Sequence, residues 1–417
     1  MEMNSEVSAA AGMLSLLPLL LLIAAVAVAV GFAVRRRKRV GVAAETMGRK
    51  VSPARRPQTI LILLAFALLV GLYILGVALY GYKGFTKLQT ILDVFRTNAA
   101  LICLACGMTC VMITGGVDLS VGALVALDCM ILVAGMEKLG LSPTLLVPLV
   151  LGLGVVFGLI QGYLIGYLKI QPFLVTLAGM YICRGMTAVV STEPVSITSD
   201  TWFKELARLK IRLPFGQAMA SGKREVLAPY VSAGMLISLG VLLLTFLLLR
   251  FTRLGRNLYA VGGKKQGALP DDKTEKRTKL LAYTLCGLLT SIGGVLYCLN
   301  TMYGTTTQAL GLEMKAISSA IIGGVVMTGG AGSVFGAFIG VLVNGVVTTL
   351  VSYNPDLSRL GGTLPNIAAA ALMLLFLIIQ RAVLKGQMGE DQPEPPQETP
   401  EEPSLPPEEM NDSEYTE

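Results

Sequence analysis

The chain has 417 residues, of which 53% are hydrophobic and only 15% charged, with a mean hydropathy of +0.68. Soluble domains carry roughly 25% charged residues, so this balance argues against a soluble enzyme and implies an integral membrane protein. The net charge of +7 sits in short blocks beside apolar runs, which writes topology and not nucleic-acid binding, and the complete absence of histidine removes His-based metal sites and proton relays.

Residues 13–34 read as a first span, followed at once by Arg35-Arg-Arg-Lys-Arg39. A signal peptide carries its charge before the apolar run, whereas Glu2 and Glu6 precede this one, so a retained helix with its N-terminus outside is expected. Residues 59–80 form the second span, and 98–135 stay apolar for nearly twice the length that one span of about 20 residues needs. Spans follow at 144–167, 172–190, 231–249, 280–299, 314–326, 334–351 and 366–379, giving an all-α, polytopic bundle of about ten to eleven spans. The polar loop 191–229 carries the chain's single tryptophan, Trp202, and is expected on the outer surface. The basic loop 250–279 falls by parity on the same side as Arg35–Arg39, and Arg381 and Lys385 return the C-terminus to the cytoplasm. The expected division is 1–57 as an extra helix and basic linker, 58–385 as the transmembrane unit, and 386–417 as a disordered acidic, proline-rich tail.

The long apolar stretch is broken at Thr114-Gly-Gly-Val-Asp-Leu-Ser, where Gly115 and Gly116 end one helix and Asp118 stands before the next. The pattern recurs as Thr328-Gly329-Gly330, with Gly122-Ala123 echoed by Gly336-Ala337 at the same spacing. Gly-interrupted apolar segments in matching positions point to duplicated half-bundles around a central transport site, although chance resemblance between glycine-rich turns is the plainer reading. Asp118 has Gly332 as its counterpart, and it fits either an N-cap that satisfies free backbone N–H groups or a solute contact.

Asp128 falls mid-span, where an ionised carboxylate is costly, and Arg184 lies in another apolar segment. A buried Arg184–Asp128 pair would relieve both charges, and the alternative is that Asp128 and Arg184 line the solute path. Gln161, Thr328 and Asn344 offer neutral donors and acceptors for a hydroxyl-rich solute, or equally for bonds between helices. Cys103, Cys106 and Cys110 share a helical face but read as small packing residues, and no metal site is expected. No GxxxxGK[ST] phosphate loop and no Ser/His/Asp set occurs, so neither enzyme activity nor ATP binding by this chain is expected.

Four ordered blocks lie across roughly residues 95–380: Ile113-Thr-Gly-Gly-Val-Asp-Leu-Ser-Val-Gly122; Gln171-Pro-Phe-Leu-Val-Thr-Leu177 with Arg184-Gly185; Gly255-Arg-Asn-Leu-Tyr-Ala-Val-Gly-Gly263; and Ala320-Ile-Ile-Gly-Gly324 with Thr328-Gly-Gly330. Together they resemble the ribose-type sugar permeases of bacterial ABC importers. The resemblance implies a multi-pass subunit of the bacterial cytoplasmic membrane, sitting in the lipid bilayer and pairing with a second permease subunit. It also implies cytoplasmic ATP-binding subunits that hold ATP and Mg, and an extracellular sugar-binding protein. The solute it implies is a monosaccharide such as ribose, xylose, galactose or galactofuranose, with nucleoside permeases as relatives and an ion-coupled secondary transporter as the rival mechanism. Gly255, Arg256, Tyr259, Gly262 and Gly263 correspond to the family's ATPase-coupling loop. Downstream, Lys264-Lys-Gln-Gly-Ala-Leu-Pro270 departs from the family's alanine-rich helical stretch, and Pro270 would interrupt a helix.

Overall fold

The computed structural model describes residues 57–213, 229–263, 271–354 and 363–388, so the expected first span, its basic linker and the tail beyond Met388 lie outside the described residues. The altered stretch around Pro270 does too. In chain order the helices are α1 (Pro57–Tyr80), α2 (Leu88–Thr97), α3 (Ala99–Ile113), α4 (Val121–Glu137), α5 (Pro143–Gly166) and α6 (Pro172–Val190). After these come α7 (Trp202–Arg208), α8 (Ala233–Phe251), α9 (Arg253–Gly262), α10 (Asp272–Thr301), α11 (Leu312–Ile322), α12 (Val334–Tyr353) and α13 (Thr363–Met388). Two short antiparallel ladders complete the described residues: β1 (Val195–Ser196) pairs with β4 (Tyr303–Gly304), and β2 (Lys210–Arg212) with β3 (Tyr230–Ser232).

Seven of these helices are long and apolar enough to cross a membrane, or eight when α2 and α3, bent by 52° at Asn98, count as one broken span. The helices α4 and α11 fall short of that length. With 11 residues, α11 rises only about 16 Å, roughly half of a ~30 Å hydrocarbon core. The expected span 314–326 is therefore a half-helix, preceded by a non-helical stretch from Tyr303 to Gly311. The span expected at 280–299 is the middle of the longer α10, whose first turns are the charged Asp272-Lys-Thr-Glu-Lys-Arg277.

Every residue of α3 is buried, as is nearly all of α4, so the two helices flanking the first break form the centre of the bundle. Helices that are apolar all round bury all round. Against them runs α10, which is gripped on its other side by α5. That contact is set by a four-residue glycine repeat, Gly154, Gly158, Gly162 and Gly166, on one face of α5. A Cβ at Gly162 would stand 2.7 Å from the Leu280 carbonyl, and one at Gly166 2.8 Å from that of Lys276. Small residues at this spacing let membrane helices touch backbone to backbone, where packing and not hydrophobicity drives association. By contrast α1, α5, α6 and α8 turn large apolar side chains outward, among them Phe66, Leu149, Ile182 and Leu244.

Candidate functional site

Both glycine breaks end their helices with the same hydrogen-bond signature. At the first, Gly115 N–H donates to Met112 O at 2.9 Å and Gly116 N–H to Val111 O at 3.2 Å, with Gly115 at φ +84°. At the second, Gly324 N–H donates to Ile321 O and Val325 N–H to Ala320 O, both at 2.9 Å, with Gly324 at φ +85°. This is a Schellman-type stop, which needs a residue free to adopt the left-handed region. The structural counterpart of Gly115 is thus Gly324, not Gly329 as the Thr-Gly-Gly echo implies. The second copy inserts a longer connection before its next N-cap, Ser333, and Gly329 and Gly330 lie within it.

Those two glycines close onto the first break. Gly330 N–H donates to Ile113 O at 2.8 Å, and a Cβ on Gly329 would stand 2.8 Å from Gly115 N. The third party is α9. Its Thr252 N-cap accepts from Gly255 N–H at 3.2 Å, and Gly255 turns the corner from α8 against the backbone of Leu249. At its far end, Gly262 packs on the Ile113 carbonyl and Gly330 N, while Gly263 lies against Gly330. Tyr259 OH donates to Gly332 O at 2.9 Å. Leu258 and Val261 are buried beneath this contact, and Arg253 and Arg256 are exposed on the opposite face. Hence Gly115, Gly329, Gly330, Tyr259, Gly262 and Gly263 form one backbone-to-backbone junction. The sequence placed them at two breaks and a separate loop.

Asp118 is not the N-cap. That position belongs to Ser120, and Asp118 Oδ1 accepts from Ser120 N–H at 2.9 Å and Ser120 Oγ–H at 2.5 Å, a local Asx turn two residues ahead of the helix. Ser120 Oγ in turn accepts from Gln161 Nε2 at 3.0 Å, which ties α5 to the start of α4. The carboxylate that does lie beside the first turn of α4 is Glu313, a residue no sequence pattern singled out. Its Oε2 packs against Gly122, and its Oε1 accepts from Gly311 N–H at 3.1 Å at the start of α11. This one carboxylate lies beside the N-termini of both α4 and α11, where the helix dipoles favour negative charge, although its Oε2 takes no hydrogen bond among the described residues. Its spacing reveals nothing, because 303–311 reads as an ordinary polar loop.

The anticipated Arg184–Asp128 pair does not form. Arg184 Nη1 donates to Gln308 O at 2.6 Å and Thr306 O at 3.3 Å, so it holds the carbonyls of the non-helical stretch that has no ladder of its own. Glu313 is the acidic group within electrostatic reach of it. Asp128 instead faces α10 at Gly294 and Ser291, with both carboxylate oxygens buried and unpartnered among the described residues. Asn344 donates to Ser318 Oγ at 3.0 Å and Ser319 Oγ at 2.9 Å, which locks α12 to α11. Thr328 is exposed beside the junction, its carbonyl against Gly115. The polar residues expected on one path are thus dispersed: Gln161 and Asn344 bond helix to helix, and Thr328 belongs to the junction. All seven cysteines are buried and free, as packing residues should be.

A multi-pass helical bundle whose two broken helices rest on a third, amphipathic helix defines a membrane permease. Residues 90–380 match the family described as branched-chain amino acid transport system / permease component, and the chain belongs to that family. It is 33% identical over 316 residues to the inner membrane ABC transporter permease protein YjfF of Escherichia coli (strain K12), covering 75% of this chain and 91% of the relative. The fructose import permease protein FruG of Bifidobacterium longum (strain NCC 2705) is 31% identical, over 78% of this chain and 92% of its own. The ribose import permease protein RbsC of Escherichia coli (strain K12) is 30% identical, over 71% and 86%. No solved structure matches this chain.

Proposed function

We propose that this chain is a permease subunit of a bacterial ABC importer for a monosaccharide of the ribose, xylose, galactose or galactofuranose kind. The observation that carries the reading is the seating of α9 on both helix breaks at once, through Gly262–Ile113 and Tyr259–Gly332. A force applied to the exposed Arg253 and Arg256 face of α9 reaches the end of α3 directly at Ile113 and reaches α11 through the short connection that holds Gly330 and Gly332. ATP bound with Mg on a partner ATP-binding subunit supplies that force, and alternating access follows as the half-helices move. The import relatives for ribose and fructose support a sugar as solute. So does Glu313, which already occupies the helix N-termini that would otherwise attract an anionic solute.

In this reading the chain lies in the cytoplasmic membrane with α9 and the C-terminus on the cytoplasmic side. It pairs with a second permease subunit and receives sugar from an extracellular binding protein. A second reading, ion-coupled transport without an ATPase, draws on the unpartnered carboxylate of Asp128. Reconstitution decides between them. Combined with a cognate ATP-binding subunit and sugar-binding protein, the chain should take up radiolabelled ribose, xylose or galactose only when ATP is enclosed with the ATPase. Uptake driven by a sodium or proton gradient in liposomes holding this chain alone would overturn the proposal.

A further inference from the structure

Arg184 lies twelve residues into the 19-residue α6, about 18 Å along it and less than two turns, about 9 Å, short of its C-terminal end. Glu313 and Lys315 stand in the opening turns of α11, the half-helix whose start is inside the bundle. Between them the non-helical stretch 303–311 runs along α4, with Gly304 against Met130 and Ala309 O against Gly122. Non-helical backbone at membrane depth survives only where protein buries it or water lines it. The inner side of this stretch is buried by Gln308 and Ala309, but its outer side is not: Thr307, Leu310 and Met314 are exposed. Beside them α6 exposes Gly185, next to the half-buried Arg184, and α13 exposes Asn366 at Gly311.

On α6 itself Tyr181, Ile182, Met186 and Val189 are exposed around Gly185, so the polar break in this face is confined to Arg184, Gly185 and the adjoining stretch 303–311. The outward residues of α5 and α8 are Leu145, Leu149, Val156, Leu243, Leu244 and Phe246, as a surface against acyl chains requires. A guanidinium with further N–H groups, an open hydroxyl and an amide gathered on one outer face are costly against hydrocarbon and normally face water or protein. We infer that the face made by α6, residues 303–314 and the start of α13 is this subunit's wall of the solute path, and that Arg184 and Thr307 are its polar contacts for sugar hydroxyls. This rests on the permease reading above, and it moves the path away from Gln161, Thr328 and Asn344.

The test is thiol labelling of the complete transporter in proteoliposomes, with a membrane-impermeant cationic methanethiosulfonate as the probe. The natural cysteines are all buried, so the background is low. Gly185→Cys and Thr307→Cys report the proposed wall, and a Cβ at Gly185 meets nothing within 4 Å, so that variant fits without rearrangement. Leu149→Cys and Leu244→Cys report the apolar outer faces. Labelling at 185 and 307 should run at least tenfold faster than at 149 and 244. Equal, slow labelling at all four would overturn the inference, whether lipid or a partner subunit covers the face. Sugar uptake measured in the same vesicles keeps the two claims apart: ATP-dependent uptake with an unlabelled wall removes this inference alone, whereas loss of uptake from the unmodified transporter bears on the permease reading.

Discussion

The Ile113 carbonyl at the end of α3 accepts from Gly330 N–H at 2.8 Å, so the two helix breaks of the bundle are hydrogen-bonded to each other. The same carbonyl is covered by Gly262 of α9, whose added Cβ would strike it. A side chain at 262 must push α9 away from both breaks. Gly262→Val should therefore cut ATP-dependent uptake at least tenfold while ATP hydrolysis by the assembled transporter continues, because the motor turns without moving the half-helices. Measuring both rates on one preparation checks this, and a parallel fall in hydrolysis and uptake would contradict it. Gly330 carries the extra constraint of φ +75°, so Gly330→Ala costs about 1–2 kcal/mol in backbone conformation before any clash is counted.

Tyr259 offers a milder perturbation of the same junction. Tyr259→Phe removes only the donor to Gly332 O and leaves the ring in place. A hydrogen bond of this type contributes about 0.5–1.5 kcal/mol. The expected outcome is a drop in uptake of a few fold, well short of the Gly262→Val effect, with unchanged amounts of folded protein in the membrane. Uptake per folded transporter is the measurement.

The glycine ladder of α5 predicts a stability effect and not a transport effect. Gly158→Leu places a branched side chain where even a Cβ would meet Thr284 Cα at 2.8 Å. Overpacking a tight contact costs about 1–3 kcal/mol, and here rigid backbone stands in the way, so the upper end applies. Gly152 lies on the same helix with nothing within 4 Å, so Gly152→Leu should be tolerated. Thermal melting of the two purified variants in detergent should separate them by several degrees.

How much of this was legible in the sequence depends on the range of the interaction. The positions of most spans and the break at Gly115–Gly116 were readable because each is written in local apolar length and glycine. The C-cap of the second break was misassigned to Gly329, since Thr-Gly-Gly is a string match and the helix stop is a hydrogen-bond pattern, satisfied at Gly324. Arg184 was singled out by its cost in an apolar segment, but its partners are two carbonyls more than a hundred residues away, which no side-chain pattern encodes. Glu313 went unnoticed for a related reason: only the tertiary fold takes residues 303–311 into the bundle and brings Gly122 beside it.

Arg184 holds that stretch by one short and one longer bond, each to a neutral carbonyl. Hydrogen bonds involving a charged group contribute about 1.5–3 kcal/mol, and half-exposure places Arg184 at the lower end. Arg184→Lys keeps the charge but replaces the extended planar guanidinium, whose Nη1 reaches both carbonyls, by a shorter side chain with a compact ammonium, so it should behave as a partial loss and not as a conservative change. Arg184→Ala should lower the melting temperature and raise amide exchange across 303–311 more than at any helix it touches. Hydrogen exchange read by mass spectrometry on the purified protein checks the localisation; uniform loosening of the bundle would contradict the assigned role.

At the rim opposite α9, Glu137 ties the loop after α6 to the end of α4. Burial raises its pKa, but donation from Ser199 and Thr198, by hydroxyl and backbone N–H of each, outweighs this and brings the carboxyl down to about 2 from its usual 4.5. A carboxylate with a lowered folded-state pKa stabilises the closed strap fully above about pH 4.5, and that contribution is lost as the pH falls from about 4.5 toward 2. Trp202, the only tryptophan, lies three residues beyond Ser199 and donates to Thr144 Oγ1 at 3.0 Å, so its emission reports the strap. Asp200, whose carboxyl the Lys204 ammonium at 2.8 Å holds below its ordinary pKa by hydrogen bond and charge, is a second acidic group in this loop and must be separated from Glu137. Glu137→Gln does this: the variant should show at neutral pH the Trp202 emission that the unmodified protein reaches only below pH 4.5, and its remaining acid transition should be smaller. An emission–pH curve identical in both proteins would mean that Glu137 does not hold the strap.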